Sequence, residues 1–455
     1  MINIKIDSRK INKGDIFVAL PGATVDGHDY VEQAYKNGAT KAIVEQKVEC
    51  PIEQEVVPDT NKWITDYISE HYSKEIEDMN VIGVTGTNGK TTTAYLTYQI
   101  LNELGSKTAY IGTIGFYLPD EDFIELPNTT PNILDLYELF LTAKEHKCKN
   151  VMMEVSSHAL DQKRVQGITF KVAAFTNLTQ DHLDYHKTME NYLAAKMLIL
   201  KQLEGPMIVN ADDETATKWI NAYKNTLTFG FEGKDYKIES YEDTEKGTLI
   251  KFKANNKDYE VETNLRSRFN VYNYLTTLSL INQLGYSVED IIKVTPDIYP
   301  PKGRCEIVKL AKGEAVIDYA HTPDAVEKII DAFTENKKGK VITIVGCGGD
   351  RDPKKRPIMG NIAATKSDYV VFTSDNPRTE DPEAIMKDIL AGVTTDNYEV
   401  ELDRRKAIVK ALDMLDTNDV VLILGKGHED YQIIGHEKHH LDDSEEVKKY
   451  IESHK

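Results

Sequence analysis

Short β-branched and aliphatic runs recur along the whole chain, each closed by a polar or glycine-rich break and followed by a stretch of helical periodicity. Residues 2–6 alternate apolar and polar positions in period two, 14–20 read as a second strand, 30–37 as a short helix stopped by Gly38, and 42–45 as a third strand. Residues 81–84 form a β-branched run that breaks into glycines and then into a helical pattern over 92–104. Further apolar runs at 108–112, 151–155, 172–176 and 207–210 alternate with helical stretches, the pattern of a largely parallel sheet. Residues 226–229 and 248–252 are charged and strand-like and predict an antiparallel addition, and a helix is expected from 269 to about 284. Residues 300–304, Pro-Pro-Lys-Gly-Arg, read as a linker, after which runs at 315–318, 341–345, 370–373 and 420–424 repeat the strand–helix alternation. The expectation is an α/β chain of three domains. These are a small N-terminal α/β domain over 1–79, a central P-loop-type domain with a mostly parallel sheet over 80–303, and a doubly wound, Rossmann-like domain over 304–455. A length of 455 residues fits three domains of about 150 residues each.

The chemistry-bearing residues fall where these runs end. Gly83, Gly86 and Gly89 lead into Lys90 and Thr91 and then a helix. This order brings backbone N–H groups close to a polyphosphate, with Lys90 as a positive charge and the Thr91 hydroxyl able to hold Mg2+. Val84 stands where the strict Walker-type spacing has its first glycine. Glu154, Ser156, Ser157 and His158 close one strand, and Thr176 and Asn177 close another ahead of Asp181, His182, Asp184 and His186. Glu154, His182 and the Thr91 hydroxyl are suitable Mg2+ ligands or supports if their strands are neighbours. The same residues also suit helix capping, for the serines, and core or surface positions, for the histidines. Lys196 sits on a predicted helix among apolar neighbours, and a lysine turned inward needs a partner or a chemical change. In the last domain the loops after 341–345, 370–373 and 420–424 carry Arg351, Asp375, Arg378 and Glu429. A parallel sheet would put these on one rim, where arginine forks a carboxylate and acidic groups take an amine.

Composition narrows the classes. The formal net charge of -19 argues against a nucleic-acid backbone as partner. Four cysteines lie far apart without a C-x-x-C pair, which argues against a disulfide framework or zinc site and fits a reducing cytoplasm. The N-terminal stretch has no signal-peptide core, and no apolar run is long enough to span a bilayer. Asp7, Ser8 and Arg9 as a bare tripeptide read as a polar turn.

Taken together, residues 86–92, 128–131, 154–164, 176–186, 192–196 and 318–323 resemble the signatures of the Mur ligase family, ATP-dependent amino-acid-adding enzymes of peptidoglycan synthesis. The resemblance covers nearly the whole chain. It is similar to the branch that adds the third residue to UDP-N-acetylmuramoyl-L-alanyl-D-glutamate, and Asp375-Asn376-Pro377-Arg378 resembles the signature of enzymes that choose meso-diaminopimelate over L-lysine. By that resemblance Ile6, Ser8, Ala23, Thr24 and Val25 would face the UDP moiety, and Asn128, Thr129, Thr130, Ser156, Gln162 and Arg164 would hold the muramoyl-dipeptide. Gly86, Thr87, Asn88, Gly89, Lys90, Thr91 and Thr92 would bind ATP, with Asn270 and Arg304 on the same side. Lys196 would be carbamylated, joining Thr91, Glu154 and His182 as Mg2+ ligands. Arg351, Asp375, Asn376, Pro377, Arg378, Gly425 and Glu429 would hold diaminopimelate, and His321 or Glu154 would take the proton of the attacking amine. The implied protein is a cytoplasmic monomer that uses ATP and Mg2+. Its neighbouring readings are an L-lysine-adding ligase, a folylpolyglutamate synthetase-like ligase, and a nucleotide-binding switch without ligase chemistry. Two departures stand out: the chain starts almost at its first strand, and Ser267 occupies a position where the family usually has glycine.

Overall fold

Alternating strand and helix patterns give parallel sheets when each strand is covered by the helix that follows it. The computed structural model describes residues 3–22, 25–121, 123–244, 246–335 and 337–454. They form two compact units, one made of residues 1–85, 101–174 and 194–207 and the other of 86–100, 175–193 and 208–455.

The first unit holds nine strands. β1 (Ile4–Lys5), β2 (Ile16–Val18), β3 (Lys41–Val44) and β4 (Glu53–Val56) form an all-parallel sheet in sequence order. Phe17, Ala19, Ala42 and Val44 pack beneath Val31 and Ala34 of the helix Val31–Lys36. A further set of strands is β5 (Asn80–Thr85), β6 (Thr108–Gly112), β7 (Gly115–Tyr117), β8 (Asn150–Glu154) and β9 (Val172–Phe175). Its order is β9-β5-β8-β6-β7, with β5, β8 and β6 parallel and β7 antiparallel to β6. The helix Thr60–Ile76, capped by Asp59, runs beside the helix Ile133–Glu145, and Lys144 reaches Glu75 at 2.6 Å.

The second unit, beyond its segments 86–100 and 175–193, holds β10 (Met207–Asn210, from residue 208), β11 (Thr226–Gly230), β12 (Tyr236–Asp243), β13 (Thr248–Ala254) and β14 (Lys257–Thr263), adjacent in that order. β12, β13 and β14 are antiparallel to one another, as expected, whereas β12 joins β11 in parallel. A six-stranded sheet follows: β15 (Glu306–Lys309), β16 (Glu314–Asp318), β17 (Val341–Val345), β18 (Tyr369–Phe372), β19 (Tyr398–Val400) and β20 (Val420–Leu424), in the order β15-β16-β20-β17-β18-β19. Only β15 runs antiparallel. Successive strand residues face opposite ways, so Val341, Val345, Leu422 and Leu424 enter one core while Ile342, Ile344, Val421 and Ile423 enter the other. That double burial is why these strands read as unbroken apolar runs. A hairpin of β21 (Tyr431–Ile434) and β22 (Glu437–His440) and the helix Asp443–Ser453 end the described chain.

One boundary differs from expectation. The helix after the glycine turn starts at Lys90, not 92, which puts Lys90 and Thr91 inside its first turn. The predicted helix that carries Lys196 is Met189–Met197, and a 3-10 turn over Leu198–Gln202 follows it. No helix among the described residues is long and apolar enough to cross a membrane.

Candidate active site

In the second unit, the loop after β5 is shaped by contacts that leave no room for side chains. A Cβ on Gly86 would lie 1.9 Å from Thr176 Oγ1, and one on Gly89 would lie 2.3 Å from Asn273 Oδ1. Both glycines have positive φ, 150° and 87°. The loop is stitched to the next segment: Thr87 N–H donates to the Asn177 carbonyl at 2.8 Å, Asn88 N–H to Asn177 Oδ1 at 2.9 Å, and Thr176 Oγ1 donates to the Asn88 carbonyl at 2.6 Å. Lys90 curls back so that its ammonium donates to the carbonyls of Gly86 (2.9 Å) and Thr87 (2.7 Å). A loop of forced glycines with an ammonium folded over it, leading into a helix, is a cradle for phosphate groups. Arg304 Nη2 donates to Thr91 Oγ1 at 3.4 Å, and its guanidinium stacks 4.3 Å above the Tyr319 ring. Arg304 Nε and His428 Nδ1 are buried with no hydrogen-bond partner among the described residues, as expected beside a ligand position. Asn270 lies deeper, with its Oδ1 accepting from Asn273 Nδ2 at 2.9 Å.

Two imidazoles and a carboxylate stand by this loop. Burial works to raise the Asp181 carboxyl, but the charges of His182, His321 and Lys90 and the His182 N–H outweigh it, and the group stays below the ordinary carboxylate range. His182 Nε2 is 3.4 Å from Asp181. His321 Nδ1 lies 2.8 Å from the Tyr319 carbonyl, so Nδ1 carries the proton and Nε2 keeps the lone pair. Desolvation, then Lys355 and Arg304, lowers the His321 pKa and favours the neutral ring.

The rim of the six-stranded sheet gathers the loops after β16, β17, β18 and β20 at one edge, because those four strands are parallel neighbours. Asp375 and Asn376 are buried, and a Cβ on Gly425 would meet Asp375 Oδ2 at 2.5 Å. Asn376 Nδ2 donates to Glu429 Oε2 at 2.8 Å. Arg378 takes a left-handed φ of 51°, and its Nη1 donates to the Gly349 carbonyl at 2.7 Å. A Cβ on Gly349 would lie 1.9 Å from the Pro377 carbonyl, so the glycines after β17 are what allow the Asp375–Arg378 turn to pack there. Arg351 is exposed, with Nη1 donating to the Asp350 carbonyl at 3.1 Å. Burial, with Asp375 close by, pushes the Glu429 carboxyl up, while Lys426 and Asn376 pull it back.

In the first unit, the ends of β6 and β8 meet. Glu154 is fully buried and accepts from Tyr110 Oη (2.5 Å), Thr113 N–H (2.9 Å) and Thr113 Oγ1 (3.1 Å). Thr129 Oγ1 is 3.1 Å from Thr113 Oγ1, and Thr130 Oγ1 donates to the Glu154 carbonyl at 2.9 Å and accepts from Ser156 N–H at 3.1 Å. Arg164 Nη1 donates to the Thr130 carbonyl at 3.1 Å and Nη2 to Gln162 at 2.5 Å. Thr129, Thr130, Ser156, Gln162 and Arg164 thus form one hydrogen-bonded group, and Ser156 also caps its helix through Ala159 N–H. Asn128 is exposed. Ser8 is buried, Ile6 half-buried and Val25 exposed, while Ala23 and Thr24 lie outside the described residues. Lys196, on the helix Met189–Met197, is 1% exposed, as its apolar flanks implied.

Sequence reasoning missed several partners. Tyr110 and Thr113, which fix Glu154, lie in a segment read only as a strand and its end. Lys426 and Gln432, which brace the rim, sit in a glycine-rich loop and a short hairpin that carry no periodicity. Among the described residues no group of three or more His, Cys, Asp or Glu side chains is arranged to hold a metal. The donors expected for Mg2+ are divided, with Thr91 and His182 in the second unit and Glu154 and Lys196 in the first. The oxygens of Thr91 and Glu154 suit a hard cation, the His182 imidazole suits a softer one better, and a carbamate on Lys196 would add two more oxygens.

A phosphate-cradling loop on an α/β scaffold, with a charged rim on the six-stranded sheet, is the arrangement of a nucleotide-dependent enzyme. Residues 2–84 match the Mur ligase family catalytic domain, 84–281 the Mur ligase middle domain and 303–427 the Mur ligase glutamate ligase domain. The chain belongs to the Mur ligase family. It is 40% identical over 460 aligned residues, 98% of this chain and 94% of the relative, to the UDP-N-acetylmuramoyl-L-alanyl-D-glutamate--2,6-diaminopimelate ligase of Clostridium botulinum. A solved structure bearing the same enzyme name superposes with a TM-score of 0.71 at 31% identity, covering 100% of this chain and 95% of that one. The MurF ligase of Thermotoga maritima, solved in complex with ADP, shares the fold, with a TM-score of 0.68 at 21% identity over 99% and 97% of the two chains.

Proposed function

We infer that this chain is an ATP-dependent amide-forming ligase that adds meso-diaminopimelate to UDP-N-acetylmuramoyl-L-alanyl-D-glutamate in peptidoglycan precursor synthesis, acting as a cytoplasmic monomer. The observation that carries the substrate choice is the rim: Arg378 held in a glycine-lined turn beside the acidic pair Asp375 and Glu429. An arginine fork answers a carboxylate that lysine lacks, and the acidic pair answers an ammonium. In this reading Ile6, Ser8 and Val25 face the UDP moiety, and the group from Asn128 to Arg164 holds the muramoyl-dipeptide. The 86–92 loop holds ATP, with Asn270 and Arg304 alongside.

A carboxylate is a poor electrophile. Transfer of the ATP γ-phosphoryl group to it gives an acyl phosphate. The amine then attacks the acyl carbon, and inorganic phosphate leaves with the bonding pair of the C–O bond. The protein's work is positioning and charge neutralisation. Lys90 already points its ammonium at the loop that would carry the phosphates. Thr91, Glu154, His182 and carbamylated Lys196 are the residues that would hold Mg2+, which supplies positive charge against the crowded phosphate and carboxylate oxygens. For the amine's proton, His321 is favoured over Glu154, because its Nε2 keeps a lone pair while Glu154 already accepts three donors.

The test is phosphate release by purified protein with each reactant omitted in turn, run in parallel with diaminopimelate and L-lysine. Release that needs ATP, the UDP-muramoyl-dipeptide and diaminopimelate together supports the reading. Equal use of lysine removes the specificity assignment, and hydrolysis indifferent to the dipeptide removes the ligase.

A further inference from the structure

Inside the rim lies a lysine that none of the steps above uses. Lys426 is 0% exposed, and lysine is almost never fully buried without a partner. Its ammonium lies 3.1 Å from Glu429 Oε2 and 3.3 Å from Asn376 Oδ1, and 5.5 Å from the centre of the Tyr431 ring. Asn376 is also committed at both ends of its amide. Its Nδ2 donates to the same Glu429 oxygen at 2.8 Å, and its Oδ1 accepts from Ile433 N–H at 2.9 Å. A flipped amide would set NH2 against an ammonium and an N–H donor, so Lys426 and Ile433 together fix the orientation in which Asn376 supports Glu429.

Asp375 and Glu429 are the carboxylates of the pocket, and Lys426 is its internal cation. Arg304 acts on the same Tyr319 ring as both carboxylates, Lys355 and Arg356 act on the same Cys347 thiol as Asp375, Arg378 and Arg351 stand on the rim, and Arg404 is matched by Asp443 at 2.7 Å. Tyr319 stands within the field of both carboxylates, and Arg404 lies within it as well. Of these cations Lys426 is the one in hydrogen-bond contact with Glu429.

We propose that Lys426 is a positioning residue of the amino-acid subsite, a built-in counter-ion that aims Glu429 and Asn376 at the ammonium of the incoming amino acid. The proposal rests on the reading of this rim as the amino-acid subsite. Removing the ammonium takes away the cation nearest Glu429 and leaves it facing Asp375, so Glu429 takes up a proton more readily and loses its charge at a higher pH. A residue that only filled space would not move a pH profile.

The experiment is steady-state kinetics on the whole enzyme with diaminopimelate varied from about pH 6 to 9, comparing wild type with K426M, K426R, E429Q and K426M/E429Q. K426M is expected to raise KM for diaminopimelate about tenfold and to leave KM for ATP and for the UDP-muramoyl-dipeptide within about twofold. The acid limb of its kcat/KM for diaminopimelate moves to higher pH. K426R, which keeps the charge, retains the wild-type limb, and K426M/E429Q, which lacks the titrating group, loses the shift. A folded K426M with unchanged KM for diaminopimelate and an unshifted limb overturns the proposal. If K426M does not fold, K426Q takes its place in the same comparison: a raised KM for diaminopimelate with the acid limb moved to higher pH supports the proposal, and an unchanged KM with an unshifted limb overturns it. A wild-type enzyme that does not require diaminopimelate at all refutes the reading of the rim itself, a result distinct from any of these.

Discussion

Lys90 and Lys196 are both lysines beside expected phosphate chemistry, and their surroundings separate them. Lys90 has carbonyl acceptors on its own loop and keeps an ordinary ammonium role. Its replacement by methionine should lower kcat about 10²–10³-fold, as removal of one preorganised charge does, with folding checked by circular dichroism. Lys196 is buried at 1% exposure. Lys196→Ala should nearly abolish turnover while the protein stays folded, and added short carboxylates should restore part of the activity; wild-type-like turnover would remove the carbamate. Ser267 is a third case. Its φ of 81° and ψ of 152° fall in a region that almost only glycine occupies, and its buried hydroxyl has no partner among the described residues. The sequence had marked the position as a departure from glycine, and the backbone kept the glycine conformation. Ser267→Gly should therefore stabilise the fold by about 1–3 kcal/mol, read from the denaturation midpoint. Lys426 shows what sequence could not reveal. Its neighbours are glycines, so no pattern indicated whether it faced water or the core.

The element that most changes the picture of the site is the β21–β22 hairpin. Gln432 Nε2 donates to the Asp375 carbonyl at 2.7 Å, Arg378 N–H to the Ile433 carbonyl at 3.0 Å, and Gly435 N–H to the Arg378 carbonyl at 2.7 Å. The hairpin clamps both ends of the turn that carries Arg378. Gln432→Ala should raise KM for diaminopimelate about fivefold, the worth of one neutral hydrogen bond, and narrow the preference over L-lysine, with KM for ATP unchanged. Strands buried on both faces were legible as apolar runs, and the helices after them as 3.6-residue periods. The helix start at Lys90 was misjudged because glycine-rich turns hide where the first helical turn closes. The helix Thr60–Ile76 received no assignment of its own, although Asp59 as N-cap with Ile64 and Ile68 on one face was a usable signal.

For the whole molecule, two half-buried histidines with lowered pKa values make stability depend on pH. Burial, then Arg304 and Lys302, pushes His428 down to about 3, and His321 is lowered by burial as well. Between about 3 and the unfolded value near 6.5, the unfolded chain binds protons at these rings that the folded protein does not. Their contribution to stability is therefore complete above the unfolded value and is lost as pH falls through that window. His428→Asn should flatten the decline of the denaturation midpoint between about pH 6.5 and 5, where most carboxylates are still ionised. An unchanged slope would show that the ring is already charged in the folded state.

From sequence alone came the α/β class, the phosphate loop, the buried lysine on its helix and the charged strand ends, because periodicity and glycine placement are local properties of a chain. Which charges face one another was decided only by tertiary structure. Lys426 against Glu429, Gln432 on the Asp375 carbonyl, and Tyr110 with Thr113 on Glu154 join residues through loops and short strands whose packing has no signature along the chain. Hydrogen bonds and ion pairs depend on position to within an ångström, and sheet order and register set those positions across tens of residues of intervening sequence.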